Sequence, residues 1–353
     1  MARFSEILTI VNGKNQSKVE NPNGSYPIYG SGGVMGYADD YLCGAETVVI
    51  GRKGSINKPI YVEEPFWNVD TAFGLVANRD MLLPKYLFYF CVYFDFEQLN
   101  TTVTIPSLTK ANLLNIEMNL PSLTVQQKIV ERLSKVDELI SLRKQQLAKL
   151  DQLVKSRFIE LFGSVEDNVY GLKTVKIKDA CDLINGKAFK PEDWSDTGLP
   201  IVRIQNLNND QAPFNFFNGE IKEQYLIDTG ELLFSWSGTP GTSFGAFFWN
   251  RGKAVLNQHI FRVKPKIVFN LSFLQFALNG RIDYIISKAH GGVGLQHITK
   301  KELDEVELLL PAIDHQSEFA AFVEQTDKSK LAVQKSLDKL ETLKKALMQK
   351  YFG

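Results

Sequence analysis

The stretches SLTKANLLNIEMNLPSLTVQQ (residues 107–127) and HITKKELDEVELLLPAIDHQS (residues 297–317) occupy corresponding places in a repeat that organises the whole chain. Residues 107–163 align with residues 297–353 without a gap, with 15 identities in 57 positions. The identical positions include a Thr-Lys pair, a Leu-Pro pair, a glutamine after it and a final Phe-Gly. Because self-similarity at a constant offset marks repeated structural units, the sequence predicts one fold used twice.

The repeat continues upstream with a changing offset. Residues 10–14 (IVNGK) resemble residues 183–187 (LINGK), and Pro27-Ile28 resembles Pro200-Ile201. Residues 70–73 (DTAF) correspond to residues 258–261 (QHIF), and residues 83–87 (LPKYL) parallel residues 270–274 (NLSFL). A changing offset indicates loops of different length on a shared scaffold.

Each repeat ends in a segment with the periodicity of a long amphipathic helix. The first is predicted over Thr124–Phe162, with Thr124 and Gln127 as a capping box and Gly163 as its stop. The polar residues Arg143, Arg157, Thr326, Lys330 and Lys344 interrupt the apolar seams of the two helices. The predicted packing residues, spaced as in coiled coils, are Leu133, Val136, Ile140, Leu147, Leu150, Val154, Val323, Val333, Leu337, Leu340 and Leu347. An exposed apolar stripe on a helix has to pack against another surface, and the helix of the other repeat in the same chain is the obvious partner. The alternative is a coiled coil whose only role is to dimerise the protein.

The segments 1–106 and 174–296 have the composition of α+β domains. Short apolar runs at 47–50 and 231–234 read as buried strands followed by glycine-rich loops. Residues 86–96 and 271–278 read as short helices. The fold class is therefore α+β, with two similar globular domains and an internal duplication.

Composition excludes several classes of protein. No apolar run reaches the length of a membrane span, and the first 13 residues lack the layout of a signal peptide. Three cysteines and four histidines show no metal-ligand spacing, so no metal is expected and a reducing cytoplasm is indicated. No Walker A, GxGxxG or methyltransferase motif occurs, and we predict no catalytic residues. The net charge of zero argues against a simple nucleic-acid binder, unless partner subunits supply positive charge.

Polar loops recur at equivalent places in the two globular segments, with different side chains in each. Arg and Lys suit guanine, Asn and Gln suit adenine, and Ser and Thr suit bases or phosphates. Lys14 and Lys187 look like phosphate-positioning residues. The full set of predicted DNA-binding residues is Lys14, Ser31, Arg52, Lys53, Ser55, Thr101, Thr104, Lys187, Arg203, Gln205, Asn206, Asn208, Trp236, Ser237, Thr239 and Gln296.

This order of variable globular segment and shared helix resembles the specificity subunit (HsdS) of type I restriction-modification systems. The resemblance covers essentially the whole chain and rests on the repeated Leu-Pro, Gln and Phe-Gly and on the Asn-Gly-Lys openings. It implies target recognition domains at 1–121 and 164–311, separated by two long antiparallel coiled-coil helices at 122–163 and 312–353 in an approximately two-fold arrangement.

The resemblance also implies function and partners. Each domain would read one half of a bipartite, asymmetric site in double-stranded DNA, and the helices would set the spacer. Two adenine-methyltransferase subunits would dock on the helices, and restriction/translocase subunits could join them. S-adenosylmethionine, ATP and magnesium are expected in those partners, and no cofactor in this chain.

Two alternatives stay open at this point. The chain could be a structural adaptor whose globular parts bind protein. The spacing of Asp210, Glu220 and Lys222 also fits the loose carboxylate pattern of a magnesium-dependent nuclease.

Overall fold

The computed structural model describes residues 1–100, 107–292 and 295–353. Its contacts divide the chain into two compact units. Unit 1 comprises Met1–Gln146 and Val333–Gly353, and unit 2 comprises Leu147–Ala332. The division falls inside both long helices, so each unit holds one globular segment and a part of each helix. The sequence-based boundaries at 121, 163 and 311 instead treat each helix as a segment of its own.

The described part of unit 1 contains a four-stranded sheet, a three-stranded sheet, a two-stranded sheet and short helices. Its elements are β1 (Ala2–Arg3), α1 (Phe4–Ile7), β2 (Leu8–Asn12), β3 (Tyr26–Gly30), β4 (Gly33–Ala38), β5 (Thr47–Gly51), β6 (Ile60–Val62), β7 (Trp67–Asn68), β8 (Ala72–Ala77), α2 (Pro84–Tyr93), α3 (Lys110–Leu114) and β9 (Glu117–Met118). The long helices α4 (Leu123–Phe162) and α10 (Ile313–Phe352) contribute to both units.

Unit 2 repeats this plan with additions. Its elements are β10 (Lys173–Lys176), α5 (Ile177–Ala180), β11 (Cys181–Asn185), β12 (Leu199–Val202), α6 (Ile204–Asn208), β13 (Asn215–Phe217), β14 (Leu226–Ile227), β15 (Leu232–Ser235), β16 (Ser237–Gly238), β17 (Gly245–Phe248), β18 (Ala254–Leu256), β19 (Ile260–Pro265), α7 (Leu271–Asn279), α8 (Ile282–Lys288), β20 (His290–Gly292), β21 (Leu295–His297), α9 (Lys300–Asp304) and β22 (Glu307–Leu310).

The sheets of the two units have the same strand order. In unit 1 a four-stranded antiparallel sheet runs β2-β8-β5-β6, and in unit 2 the matching sheet runs β11-β19-β15-β17. A second sheet contains one parallel pair in each unit, β3 with β7 and β12 with β18. The pair β1-β9 corresponds to β10-β22. The predicted α+β duplication is therefore confirmed, and unit 2 adds β14 and the sheet β16-β21-β20.

The ends of the long helices are part of the domain cores. In unit 1, Leu133 of α4 and Met348 of α10 lie in the cluster that also contains the strands β2, β5 and β8. Phe352 packs on Tyr86 with ring centroids 5.1 Å apart. In unit 2, Phe162 packs on Phe273 at 5.0 Å. The matched Phe-Gly ends thus place one aromatic ring in each core.

A buried glutamine fastens the start of each long helix. Gln126 accepts a hydrogen bond from the Leu83 amide and donates to the carbonyls of Met81 and Pro121, each at 2.8 Å. Gln316 accepts from the Asn270 amide at 3.0 Å and donates to the Pro311 carbonyl at 2.9 Å. Both side chains are fully buried, so the glutamine shared by the repeats satisfies backbone groups that water does not reach.

The predicted cap of the first helix is wrong. Helix α4 begins at Leu123, and the Gln126 amide donates to the Ser122 carbonyl at 2.9 Å, so Ser122 rather than Thr124 stands at the start. Gln127 bonds Glu131 at 3.0 Å instead of the helix start. The predicted stop is confirmed, because Gly163 adopts φ +72°, the left-handed conformation that favours glycine.

The two long helices pair antiparallel within each unit. In unit 1, Asp137 binds Lys344 at 2.6 Å and Lys144 binds Glu341 at 3.2 Å, so numbering falls along α10 as it rises along α4. Nearby, Arg143 donates to the Ser336 hydroxyl at 3.3 Å.

Unit 2 shows the same antiparallel pairing. Asp151 binds Lys330 at 2.6 Å, and Arg157 binds Glu318 at 3.5 Å. The ionic interruptions of the predicted seam therefore find partners on the opposite helix. All eleven predicted packing residues are buried or half-buried.

No helix in the described ranges is long and apolar enough to cross a membrane. The three cysteines are buried and unpaired. Burial raises the pKa of the Cys43 and Cys181 thiols to about 12, which keeps both in the unreactive thiol form.

Candidate DNA-recognition site

In unit 1 the loop that follows β5 contacts the turn between β3 and β4 and the backbone of residues 71 and 108. A side chain on Gly51 would lie 2.9 Å from the Ser31 Cβ and 2.5 Å from the Ser55 carbonyl oxygen, so these two loop residues close around the end of the strand. The Arg52 amide donates to the Thr71 carbonyl at 2.8 Å, and the Arg52 carbonyl accepts from the Leu108 amide at 2.9 Å. The backbone of Arg52 is thereby fixed between two other segments.

Trp236 occupies the same backbone position in unit 2. Its amide donates to the His259 carbonyl at 3.4 Å, and its carbonyl accepts from the Ile298 amide at 3.2 Å. His259 corresponds to Thr71 in the repeat, and Ile298 corresponds to Leu108. Residues 52 and 236 are therefore equivalent.

A phenylalanine ring supports the side chain at this position in both units. The Arg52 guanidinium carbon lies 5.8 Å from the centroid of the Phe73 ring. The Trp236 indole stacks on Phe261, with centroids 5.7 Å apart and an interplanar angle of 28°. Both phenylalanines are buried, so each presents a packed ring surface to the side chain at this position.

The Asn-Gly-Lys turn is bonded to a neighbouring strand in both units. The Lys14 amide donates to the Asn68 carbonyl at 2.9 Å, and the Lys187 amide donates to the Leu256 carbonyl at 2.8 Å. A Cβ on Gly13 would overlap the Val69 carbonyl, and one on Gly186 would overlap the Leu256 and Asn257 carbonyls. Only glycine allows this close approach of two backbones.

The two lysines differ in their partners. Lys14 is exposed, and its ammonium has no partner among the described residues. The Lys187 ammonium lies 4.4 Å from the Phe217 ring centroid, 4.8 Å from that of Phe189 and 3.7 Å from the Asp193 carboxylate. Lys14 is thus the freer of the two for a phosphate.

The remaining predicted residues of unit 1 lie around Arg52. Lys53 is exposed and bridges to the backbone of Ser107, while Ser31 and Ser55 are half-buried. Thr101 and Thr104 lie outside the described residues.

In unit 2 the predicted residues fall into two groups. Gln205 and Asn208 are exposed on α6, where Gln205 bonds the Pro213 carbonyl at 3.4 Å and Asn208 the Ile204 carbonyl at 3.1 Å. Arg203 is half-buried, with its guanidinium 5.6 Å from the Trp194 centroid. The other group follows β15: Trp236 and Gln296 are half-buried, Ser237 is buried and Thr239 is exposed.

The assignment of Asn206 as a base-contacting residue is corrected. This side chain is fully buried. Its amide nitrogen lies 3.2 Å from the carbonyl oxygens of both Ala212 and Pro213, and its oxygen accepts from the Arg203 amide at 3.0 Å. Asn206 therefore holds the loop together and has no free edge for a base.

Sequence reasoning missed a group of polar residues around Trp236. The His259 ring lies 5.5 Å from that of Trp236, and the Gln258 amide lies 3.2 Å from the His259 Nε2. Partial burial, followed by the nearby His297, lowers the pKa of the His259 imidazole, which favours its neutral form. The alignment of residues 258–261 with residues 70–73 was the signal that could have found them.

Three polar atoms of this group are buried and have no hydrogen-bond partner within the part of the chain that the structure describes. They are Trp236 Nε1, Gln258 Oε1 and Gln296 Oε1. Each such atom costs about 1–3 kcal/mol. Their concentration at one loop group is the pattern that a polar ligand would relieve.

The carboxylate pattern of the nuclease alternative does not form a site. Asp210 faces Arg251 at 3.8 Å, and Glu220 and Lys222 are exposed. In the described ranges no three His, Cys, Asp or Glu side chains are grouped to hold a metal ion.

Comparison with known proteins places this duplicated fold in a family. The model of the type I restriction modification DNA specificity domain matches residues 1–152 and 171–344. The chain belongs to the type I restriction-modification DNA specificity family. It is a specificity subunit, and neither the adaptor nor the nuclease alternative receives support.

Two curated relatives of this specificity subunit match most of its length. A putative type I specificity subunit of Mycoplasma pneumoniae is 23% identical over 327 residues, covering 90% of this chain and 86% of that protein. A putative type I restriction enzyme specificity subunit of Methanocaldococcus jannaschii is 23% identical over 308 residues, covering 78% and 68%.

Two solved structures share the fold of this specificity subunit. The S subunit of a type I restriction-modification system from M. genitalium superposes with a TM-score of 0.61 at 16% identity, covering 100% of this chain and 95% of that one. A chain from a study of complex assembly and conformational transition of the type I R-M system gives a TM-score of 0.63 at 16% identity, covering 99% and 96%.

Proposed function

We propose that this specificity subunit reads a bipartite, asymmetric sequence in double-stranded DNA, one half with the loops of each unit. The antiparallel helices set the unspecified spacer and carry two adenine-methyltransferase subunits. Restriction/translocase subunits join the complex where it also cuts DNA. S-adenosylmethionine, ATP and magnesium bind those partners in the cytoplasm.

The observation that carries this proposal is the equivalence of residues 52 and 236. Two units hold one backbone position with the same pair of hydrogen bonds and present an arginine in one case and a tryptophan in the other. A position whose side chain bonds the backbone can keep that side chain in both units, as Gln126 and Gln316 do. A position that differs on an identical backbone is what recognition of two different half-sites requires.

The charge of the chain is compatible with this function in a complex. Its 40 basic residues are balanced by 40 acidic ones, so long-range attraction to DNA is weak. Exposed Lys14, Arg52 and Lys53 supply local positive charge in unit 1. We infer that the methyltransferase subunits supply most of the phosphate contacts.

Single-molecule methylation sequencing of the source cell, with and without this gene, tests the proposal. We expect a bipartite adenine-methylated motif with a fixed spacer to vanish when the gene is deleted. An unchanged methylation pattern, in cells that express the partner methyltransferase, would overturn the proposal.

Salt dependence provides a second test with the purified complex. DNA contacts through phosphates release counterions, so affinity should fall steeply as salt rises. A salt-independent affinity would instead indicate that the globular units bind protein.

A further inference from the structure

The Arg52 side chain has no polar partner for its guanidinium in the described part of the chain. It is exposed, and among the described residues its guanidinium makes neither a hydrogen bond nor an ion pair. Its backbone is fixed by the bonds to Thr71 and Leu108, and its guanidinium lies over the Phe73 ring. Because the backbone is fixed and the guanidinium lies over a buried ring, the side chain has fewer accessible conformations. Less conformational entropy is then lost when a ligand binds.

We propose that residues 52 and 236 are the corresponding specificity-determining residues of the two half-sites, and that Arg52 recognises a guanine. This inference rests on the proposed function of DNA reading. Arginine binds the O6 and N7 atoms of guanine with two hydrogen bonds in the major groove, which no other base accepts in the same way.

The repeat itself argues for a base rather than a phosphate at this position. Phosphates are the same in every half-site, so a phosphate-binding position keeps its cation in both units. The position of Lys14 and Lys187 does so. The position of Arg52 and Trp236 does not, although its backbone bonds are the same. Residue 52 therefore varies with sequence, as a base contact does.

Trp236 cannot replace the arginine. Its indole stacks on Phe261 and has a single N–H donor, which is buried, whereas guanine recognition uses two parallel donors. The base pair that corresponds to the guanine is therefore recognised in another way in the half-site of unit 2. Trp236→Arg should bring guanine preference to that base pair.

The test uses the complex of this chain with its modification subunits and a library of DNA with randomised half-sites. Methylated products are sequenced for wild type, Arg52→Ala, Arg52→Lys, Trp236→Arg and Lys53→Ala. We expect a guanine in one half-site of the wild-type motif. Arg52→Ala should reduce discrimination for that guanine by about 10–100-fold and leave the other half-site unchanged. Arg52→Lys should lose most of the discrimination but keep the salt dependence of binding.

The control Lys53→Ala should lower methylation of all sequences about equally. Replacing the guanine by 7-deazaguanine, which lacks the N7 acceptor, should slow wild type and leave Arg52→Ala unaffected. Far-UV circular dichroism and urea unfolding are used to check that each variant is folded. If Arg52→Ala is not folded, Arg52→Lys is used in its place.

The possible outcomes separate this inference from the proposed function. If the wild-type complex methylates no specific motif, the proposed function is wrong. If a bipartite motif appears but its guanine discrimination is the same in folded Arg52→Ala, only the inference is wrong. If folded Trp236→Arg gains no guanine preference, the equivalence of residues 52 and 236 in reading is overturned.

Discussion

Residues 52 and 236 are equivalent positions at which the two units differ, and residues 126 and 316 are equivalent positions at which they agree. At the first pair the backbone bonds are shared and the side chains are an arginine and a tryptophan. At the second pair the side chain is the same buried glutamine with the same kind of backbone partners. The repeat thus keeps the groups that position the loops and varies the groups that the loops present.

The strongest test of this likeness is a substitution in the Asn-Gly-Lys turn. Gly13→Ala and Gly186→Ala both place a Cβ inside a backbone carbonyl, so each should destabilise its own unit by about 4 kcal/mol. Urea unfolding would measure this. Gly44→Ala is the control, because a Cβ there meets no atom within 4 Å. Equal tolerance of Gly13→Ala and Gly44→Ala would show that the turn is not constrained.

A smaller difference is expected between the two glutamines. Gln126→Ala leaves three backbone groups without a partner and Gln316→Ala leaves two. Because each unpaired buried group costs about 1–3 kcal/mol, we expect losses of about 3 and about 2 kcal/mol in the free energy of unfolding. The exposed Gln127→Ala should cost less than about 0.5 kcal/mol. A larger loss in the free energy of unfolding for Gln316→Ala than for Gln126→Ala would contradict this prediction.

Acid should destabilise unit 2 first. Hydrogen bonds from Thr299 and then His290 lower the pKa of Glu302 to about 2, and bonds from Lys176 and then Lys178 do the same for Glu305. The ordinary value is 4.5, so these carboxylates stabilise the fold above that pH, and the contribution is lost as the pH falls from 4.5 to about 2. Glu305→Gln should flatten this acid dependence, whereas the exposed Glu220→Gln should not.

Alkali should destabilise unit 1 first. Burial raises the pKa of Tyr61 and of Tyr86 from 10.0 to about 12. The folded state then binds protons that the unfolded chain releases, so stability falls as the pH rises above 10.0. Tyrosinate absorbance would follow the titration, and the fluorescence of unit 2, which holds three of the four tryptophans, would report whether that unit is still folded. Simultaneous loss of both units at both extremes would contradict these two predictions.

The smallest effect is expected at the two lysines. Lys14→Ala should reduce the slope of log affinity against log salt by about 1, because it removes an exposed cation for which the described residues provide no partner. Lys187→Ala should change the slope less, since that cation already faces Asp193, Phe189 and Phe217. Filter binding over a salt series would measure both slopes. A greater change for Lys187→Ala would mean that its intrachain contacts are released when DNA binds.

Sequence reasoning located the scaffold better than the loop residues. The long helices follow from periodicity and from Gly163, since both are local properties of the chain. Asn206 was misjudged because its type suits adenine equally well whether its amide faces DNA or the Ala212 carbonyl. The equivalence of residues 52 and 236 could not be read from the sequence, because the loops of the two units differ in length. It follows from the backbone hydrogen bonds to residues 71 and 259.

The division of the long helices has a consequence for biosynthesis. Unit 2 is continuous in sequence, whereas unit 1 is completed by Val333–Gly353, which the ribosome makes after all of unit 2. Until then the surface that receives Phe352, formed by Tyr86, Phe90 and Tyr93, has no cover. Unit 1 is therefore translated first but can complete its fold only after unit 2 has been made. Nascent chains that stall before Val333 would expose this aromatic surface to chaperones and proteases.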